Sequence, residues 1–298
     1  MAVEVLLKRI ETEPDPAVHT SSHWIRYGKE IGGRLEAIYQ PHPITRAFKF
    51  LDRFSYRRVT AQYRNYPEVW KAAKQLTRDL SGGLTFNVFK SAAALALLLD
   101  HWEEYRLSPR NFLLIGDGPG YLGALLRRFL PATRLYSVDL PRMLLLQAGT
   151  HKKADSAVQF SVLPEAARDG VAFVFPEDLE KIAEPIDCAV SMASMQEMPN
   201  KSIDAYFRFL RQRGSKNSRF YCVSREKKTL PGGETTEFYS YPWNEKDKIF
   251  LDGECPYYTH FFGSPSSARG PRFLGIRIPL INYFDGPMMH RLVRLAPQ

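Results

Sequence analysis

The chain has 298 residues, 44% of them hydrophobic, and a formal net charge of +9, which suits one large or two small globular domains. No uncharged apolar run reaches the ~18 residues of a spanning helix. The first residues place Glu4 inside an apolar stretch without a small-residue cleavage site, unlike a secretory leader.

Residues 1–108 read as helical and irregular. Ser22 is a cap for a segment through Trp24, Ile25, Ile31 and Leu35, ended by the break Gln40-Pro-His-Pro. Helices follow over Ile44–Tyr63, Pro67–Leu80 and Asn87–Tyr105. The last, with Ser91-Ala-Ala-Ala-Leu-Ala-Leu-Leu-Leu99, has the strongest intrinsic propensity and stops near Ser108-Pro109, where the pre-proline position disfavours helix.

From residue 109 the pattern alternates. Strands are predicted over Phe112–Ile115, Arg134–Val138, Val171–Phe175, Ile186–Ser191 and Arg219–Ser224, and helices over Leu122–Leu130, Leu140–Thr150, Asp178–Ile182 and Ser202–Gln212. Such alternation predicts an α/β fold with a doubly wound, mostly parallel sheet behind a helical N-terminal region. The division is 1–108 for a helical cap or dimer contact and 109–298 for an α/β domain. Beyond residue 225 glycine, proline and aromatics dominate. These loops suit a substrate lip, and Phe273–Leu280 predicts one or two antiparallel strands at the sheet edge.

Three cysteines without Cys-x-x-Cys spacing, Cys188, Cys222 and Cys255, point to a reducing cytoplasm and away from zinc. Basic residues gather at Arg208, Arg211, Arg213, Lys216, Arg219, Arg225, Lys227 and Lys228. No aromatic stacking platform is interleaved with them, so they read as a solvated helix face and loop rather than a nucleic-acid surface.

The most informative stretch is Asn111 to Gly123, NFLLIGDGPGYLG. A buried-strand pattern breaks at Gly116, Gly118 and Gly120, and a helix follows. Strand, glycine turn and helix bring backbone amides close to a nucleotide-like ligand. A second strand then ends in Asp139, at about the spacing where an acid takes a ribose hydroxyl. Gly118, Gly120 and Gly123 also satisfy G-x-G-x-x-G, so the loop alone admits a dinucleotide or S-adenosylmethionine. The fourth strand ends in Ser191-Met192-Ala193-Ser194, small and polarizable as a sulfonium requires, and no usable Tyr-x-x-x-Lys dyad for hydride chemistry is present.

Three segments carry a family resemblance: Leu113 to Gly120, Tyr136 to Gln147, and Asp187 to Met198 with its tail Ser-Met-Gln-Glu-Met. Over about residues 111–225 the chain resembles class I S-adenosylmethionine-dependent methyltransferases, and more narrowly a group of sugar O-methyltransferases. Weaker echoes are Ser21 to Trp24 and Tyr241-Pro-Trp243. The resemblance implies S-adenosyl-L-methionine as cofactor, held by Gly116, Asp117, Gly118, Gly120, Asp139, Leu140, Ser191 and Met192. It departs at Leu114, where the family usually has an acid for the methionyl ammonium; Asp117 is the substitute in the loop.

A hydroxyl acceptor needs in-line positioning and a general base. Glu197, just after the fourth strand, and His260, in an aromatic loop, are the catalytic candidates, with His151 a third. Gln196, Tyr241, Trp243 and Tyr258 are candidates for binding a sugar or natural-product acceptor, Tyr239 adding to the stacking wall. No His/Asp cluster has ligand spacing, so no metal is expected. The alternatives are an RNA methyltransferase, prompted by the positive charge but lacking an Asn/Asp-Pro-Pro-aromatic tail for a flipped base, and a methyltransferase-fold protein without turnover, prompted by Leu114. The expected partners are a small-molecule or saccharide acceptor and, through the N-terminal helices, a second copy, with no membrane.

Overall fold

The computed structural model of the chain describes residues 2–12, 21–22, 56–162, 170–259, 272–277 and 286–297. Before the sheet come α1 (Ala2–Thr12), a helical turn at residues 56–60, α2 (Tyr66–Asp79) and α3 (Phe86–Glu104). The sheet begins with β1 (Asn111–Ile115), α4 (Tyr121–Phe129), β2 (Arg134–Val138), α5 (Pro141–Ala154), β3 (Phe160–Val162) and β4 (Gly170–Val174). It continues through β5 (Ile186–Met192), α6 (Asn200–Arg213) and β6 (Gly214–Arg225). A hairpin of β7 (Lys227–Thr229) and β8 (Thr235–Glu237) precedes β9 (Lys248–Glu254).

Eight strands form one sheet in the order β3-β4-β2-β1-β5-β6-β12-β9, β12 being Met288–Arg294. All neighbours are parallel except at β12, which runs antiparallel to both β6 and β9. A mostly parallel sheet with one reversed strand near its edge is a doubly wound α/β architecture. Its strands are apolar because helices cover both faces: every residue of β4 is buried, and four of the five in β1. From β1 the chain runs through β2 to the edge strand β3, fills the place between them with β4, then crosses to start β5 on the other side of β1. That reversal opens a crevice at the carboxyl ends of β1 and β5, where ligands bind in open α/β sheets.

The helices before residue 108 do not form a separate core. Val69, Ala73 and Leu76 of α2 and the Ala/Leu run of α3 belong to one buried cluster with Phe112, Leu125 and Leu135. Tyr121 Oη donates to Ala73 O (2.7 Å) and meets Thr77 Oγ1 at 2.8 Å, tying α4 to α2. The boundary near 108 divides chain segments that share one interior.

Some expectations change. Phe273 lies not at the sheet edge but in a separate two-stranded hairpin of β10 (Arg272–Phe273) and β11 (Ile276–Arg277); residues 278–280 fall outside the described chain. The edge is made instead by β12 and β9. β12 has the buried pattern of an interior strand despite its basic residues, because Arg291 pairs with Asp252 at 3.0 and 2.9 Å and stands 4.6 Å above the Trp243 ring. The predicted helix at Asp178–Ile182 is a 3-10 turn, Pro176–Lys181. The short β3 was not anticipated. Among the N-terminal predictions, residues 23–55 lie outside the described chain.

The basic group at 208–228 is not one solvated face. Arg211 is buried in a two-pronged pair with Asp247 (2.6 and 2.9 Å) and also donates to the carbonyls of Ala296 and Pro242. Arg219 donates to His101 Nε2 (2.8 Å) and lies 4.1 Å from the Phe250 ring centre. Burial, then the Arg219 charge, pushes His101 down to about 4, so the imidazole is a neutral acceptor. Lys227 pairs with Glu237 and Lys228 with Glu197. Among the described residues no helix is long and apolar enough to cross a membrane.

Candidate functional site

A cleft of about 270 Å³ opens at the crevice between β1 and β5. Its floor is the glycine loop. Gly116, Gly118 and Gly120 all have left-handed backbone, at φ of 70°, 56° and 82°. A Cβ on Gly116 would stand 2.7 Å from Ser194 Oγ and closer still to Ser194 Cβ, so the loop lies flat against the turn after β5. A Cβ on Gly120 would meet Gln147 of α5 at 3.0 Å. At Gly118 the space is open, and there the backbone is accessible from the cleft.

The β5 end is fastened to this floor. Ser194 Oγ donates to Ile115 O (2.6 Å) and meets Ser191 Oγ at 2.8 Å. Ala193 turns the chain between them with φ of 64°, a conformation an L side chain adopts at a cost of about 1–2 kcal/mol. Its N–H donates to Val223 O (2.7 Å) on β6. The Ser-x-x-Ser spacing therefore pins two strand ends together beneath the site.

Asp139, at the end of β2, forms the second wall. Its oxygens accept from Leu140 N (2.9 Å) and Gln147 Nε2 (2.8 Å). Gln147 Nε2 also donates to Gly118 O (3.1 Å), and its Oε1 accepts from Ser137 Oγ. One buried amide thus holds the glycine loop and the acid in fixed relation. Asp117 turns back on α4, accepting from Gly123 N (2.7 Å) and Leu122 N (3.3 Å) as an N-terminal cap. Burial raises both carboxyls to about 7. At Asp139 the Asp117 charge adds to that rise, while the bonds from Leu140 and Gln147 oppose it.

The remaining walls come from either end of the chain's first two hundred residues. Asn87, Lys90 and Ser91 of α3 line the cleft. Glu197 follows β5, and its carboxylate accepts from Lys228 Nζ at 2.7 Å. Burial lowers the Lys228 ammonium, and Glu197 pulls it partly back. Ser21 Oγ donates to the Glu197 carbonyl, and Ser22 bonds Glu234 and Gly232, so the N-terminal segment is anchored at this corner.

The structure brings Gly116, Asp117, Gly118, Asp139, Leu140, Met192 and Glu197 to one cleft, with Leu114 beside them. Others stand elsewhere. Gly120 serves the packing of α5, and the Ser191 hydroxyl is fully buried behind the cleft. Gln196 is buried with its amide oxygen on Arg225 N (2.7 Å), joining β6 to the β7–β8 hairpin rather than facing an acceptor. Tyr241 is buried against Ser224 (2.8 Å). The Trp243 indole donates to Phe238 O (2.7 Å). Both rings pack with Phe207 and Phe238 and neither lines the cleft, so they belong to the core rather than to its wall. Tyr258 is buried behind the cleft, its ring 6.0 Å from Lys90 Nζ. His151 is buried in α5 beside Gly123 and is held neutral, pushed down to about 3 by burial and then Arg127. His260 lies outside the described residues.

Gln147 and Lys90 were missed. Each had a sequence signal: a lone amide inside a leucine-rich helix about two turns past the strand-two acid, and three polar residues at i, i+3 and i+4 opening an Ala/Leu helix.

No family profile matches the chain, and no curated protein matches it in sequence. Solved structures do resemble it in fold. The N-methyltransferase NodS from Bradyrhizobium japonicum WM9, in complex with S-adenosyl-L-homocysteine, aligns with a TM-score of 0.46 and 14% identity over 75% of this chain and 98% of that one. An S-adenosylmethionine-dependent methyltransferase from Clostridium acetobutylicum ATCC 824 gives 0.40 and 12% over 67% and 89%. The methyltransferase CalO6 gives 0.40 and 14% over 66% and 60%. At such identities and scores the likeness assigns no activity to this chain.

Proposed function

We propose that the chain is an S-adenosylmethionine-dependent O-methyltransferase whose acceptor is a hydroxyl of a sugar or of a glycosylated natural product. One observation carries this reading: Gln147 couples the glycine loop to Asp139 at the mouth of the β1/β5 crevice. The open space at Gly118 fits a nucleoside passing over the loop, and Asp139, which lines the same cleft, supports a contact with ribose hydroxyls. Leu140 and Met192 supply apolar and soft surface to the same cleft. When bound, the donor supplies a methyl group on a positively charged sulfur.

This chain's residues then orient the reaction. Glu197 stands at the acceptor side and takes the hydroxyl proton, directly or through water. Its pairing with Lys228 fixes the carboxylate in place for that transfer. His260 remains a second candidate for that proton. The pairing of Arg211, Arg219, Lys227 and Lys228 within the fold weakens the case for an RNA acceptor, and the cysteine spacing supports a cytoplasmic setting.

The test is mass spectrometry of purified protein incubated with methyl-labelled donor and a panel of free, nucleotide-linked and aglycone-linked sugars. A product heavier by one methyl group, lost on hydroxyl protection, is expected. Saturable donor binding with methylation only of an amine or nucleic acid would contradict the acceptor assignment. No donor binding up to about 1 mM, an affinity of about 4 kcal/mol, would remove the whole reading.

A further inference from the structure

The charges around the cleft are unequally answered. Asp117 gives both oxygens to the amides of α4, and Glu197 is taken by Lys228. Lys90 lies in the fields of both acids, yet among the described residues its ammonium makes no hydrogen bond or ion pair. Its nearest described aromatic is the Tyr258 ring, 6.0 Å away. Asn87, Lys90 and Ser91 sit at i, i+3 and i+4 of α3, so they share one face, and all three line the cleft. Residues 92–98, which follow directly, are buried Ala and Leu, so the polar Asn87 and Lys90 stand apart from the packed part of the helix.

We propose that Asn87, Lys90 and Ser91 form the carboxylate subsite of the donor pocket, with the Lys90 ammonium pairing with the carboxylate at the donor's amino-acid end. The inference rests on the S-adenosylmethionine reading of the cleft. With the ribose at Asp139 and the chain of the donor crossing Gly118, the amino-acid end is left to the part of the cleft lined by Asn87, Lys90 and Ser91. There, among the described residues, the ammonium of Lys90 stands with the Asn87 amide and the Ser91 hydroxyl on the same helix face. The helical region before residue 108 thereby completes the donor site, and the α/β portion alone lacks that contact. Burial weakens the hydration of the ammonium, so a charge-assisted bond to a carboxylate is strong there.

Calorimetry on the full chain tests this with two probes, S-adenosylhomocysteine and 5′-methylthioadenosine, which lacks the amino-acid end. The wild type is expected to prefer S-adenosylhomocysteine by about tenfold or more. Lys90→Met should abolish most of that preference while leaving methylthioadenosine affinity within about twofold, and Lys90→Arg should restore part of it. The wild type also provides a readout free of folding effects: the carboxyl methyl ester of S-adenosylhomocysteine should bind about tenfold more weakly than the acid. An unchanged preference in Lys90→Met, equal loss of both probes, or an ester that binds like the acid overturns the subsite while leaving the donor reading intact. A wild type that binds neither probe overturns both.

Discussion

Gly116→Val is expected to abolish measurable donor binding and to destabilise the fold by about 3–6 kcal/mol. A non-glycine residue at the φ of 70° found here carries about 1–2 kcal/mol of backbone strain. The new side chain also drives into Ser194, adding about 1–3 kcal/mol of overpacking. Ser194 cannot withdraw cheaply, because its hydroxyl bonds both Ile115 O and Ser191, each bond worth about 1 kcal/mol. The effect separates from that of Gly118→Ala, where the backbone strain is similar but the added methyl enters open space. That variant should lose only about 1–2 kcal/mol in urea unfolding. A Gly116→Val protein that unfolds and binds like the wild type would show that the loop does not lie against the β5 turn.

Asp139→Asn should weaken S-adenosylhomocysteine by about tenfold to a hundredfold, the worth of charge-assisted bonds to ribose hydroxyls, about 1.5–3 kcal/mol. The substituted amide also meets a conflict. Leu140 N and Gln147 Nε2 both donate to Asp139, and an Asn has only one accepting atom for them. The pH dependence follows from the raised carboxyl. With Asp139 at about 7, its charged form is the majority only above that pH. Donor affinity of the wild type should therefore fall by up to about tenfold for each pH unit below 7. In Asp139→Asn that dependence should flatten, and a variant that keeps the wild-type slope and affinity would exclude Asp139 from the ribose contact.

Thermal stability is a poor substitute for that measurement, because two sets of groups oppose each other. Asp117 and Asp139 have folded values raised from 3.8 to about 7, so the folded state holds their protons longer and they remove stability as pH rises between about 4 and 7. His101, His151 and His290 are buried and pushed down from 6.5 to about 4, 3 and 4, so they remove stability as pH falls from about 6.5. Between pH 4 and 6.5 the two sets pull in opposite directions. Affinity isolates Asp139 from this cancellation.

The α/β pattern was legible because each central strand is an unbroken apolar run and each following helix has its own period. The reversed strand was hidden for the opposite reason. Met288–Arg294 carries His290, Arg291 and Arg294, and only the pairing of Arg291 with Asp252 and its aromatic neighbours makes an interior position tolerable. The cleft floor could be read from the glycines and Asp139, since turn geometry and strand ends leave local marks. The acceptor side could not. Aromatic residues at 241 and 243 look alike in sequence whether they face a sugar or a core, and here Phe207 and Phe238 claim them. Lys90 and Glu197 are 107 positions apart, and no local rule joins a helix before the sheet to a turn after β5.

The most direct measurement is a crystal structure of the chain with S-adenosylhomocysteine. The ribose hydroxyls should lie within hydrogen-bond distance of the Asp139 carboxylate, with the sugar over Gly118 and the thioether sulfur facing Glu197. A nucleoside seated away from the β1/β5 crevice, or an Asp139 still directed only at Leu140 and Gln147, would contradict the account.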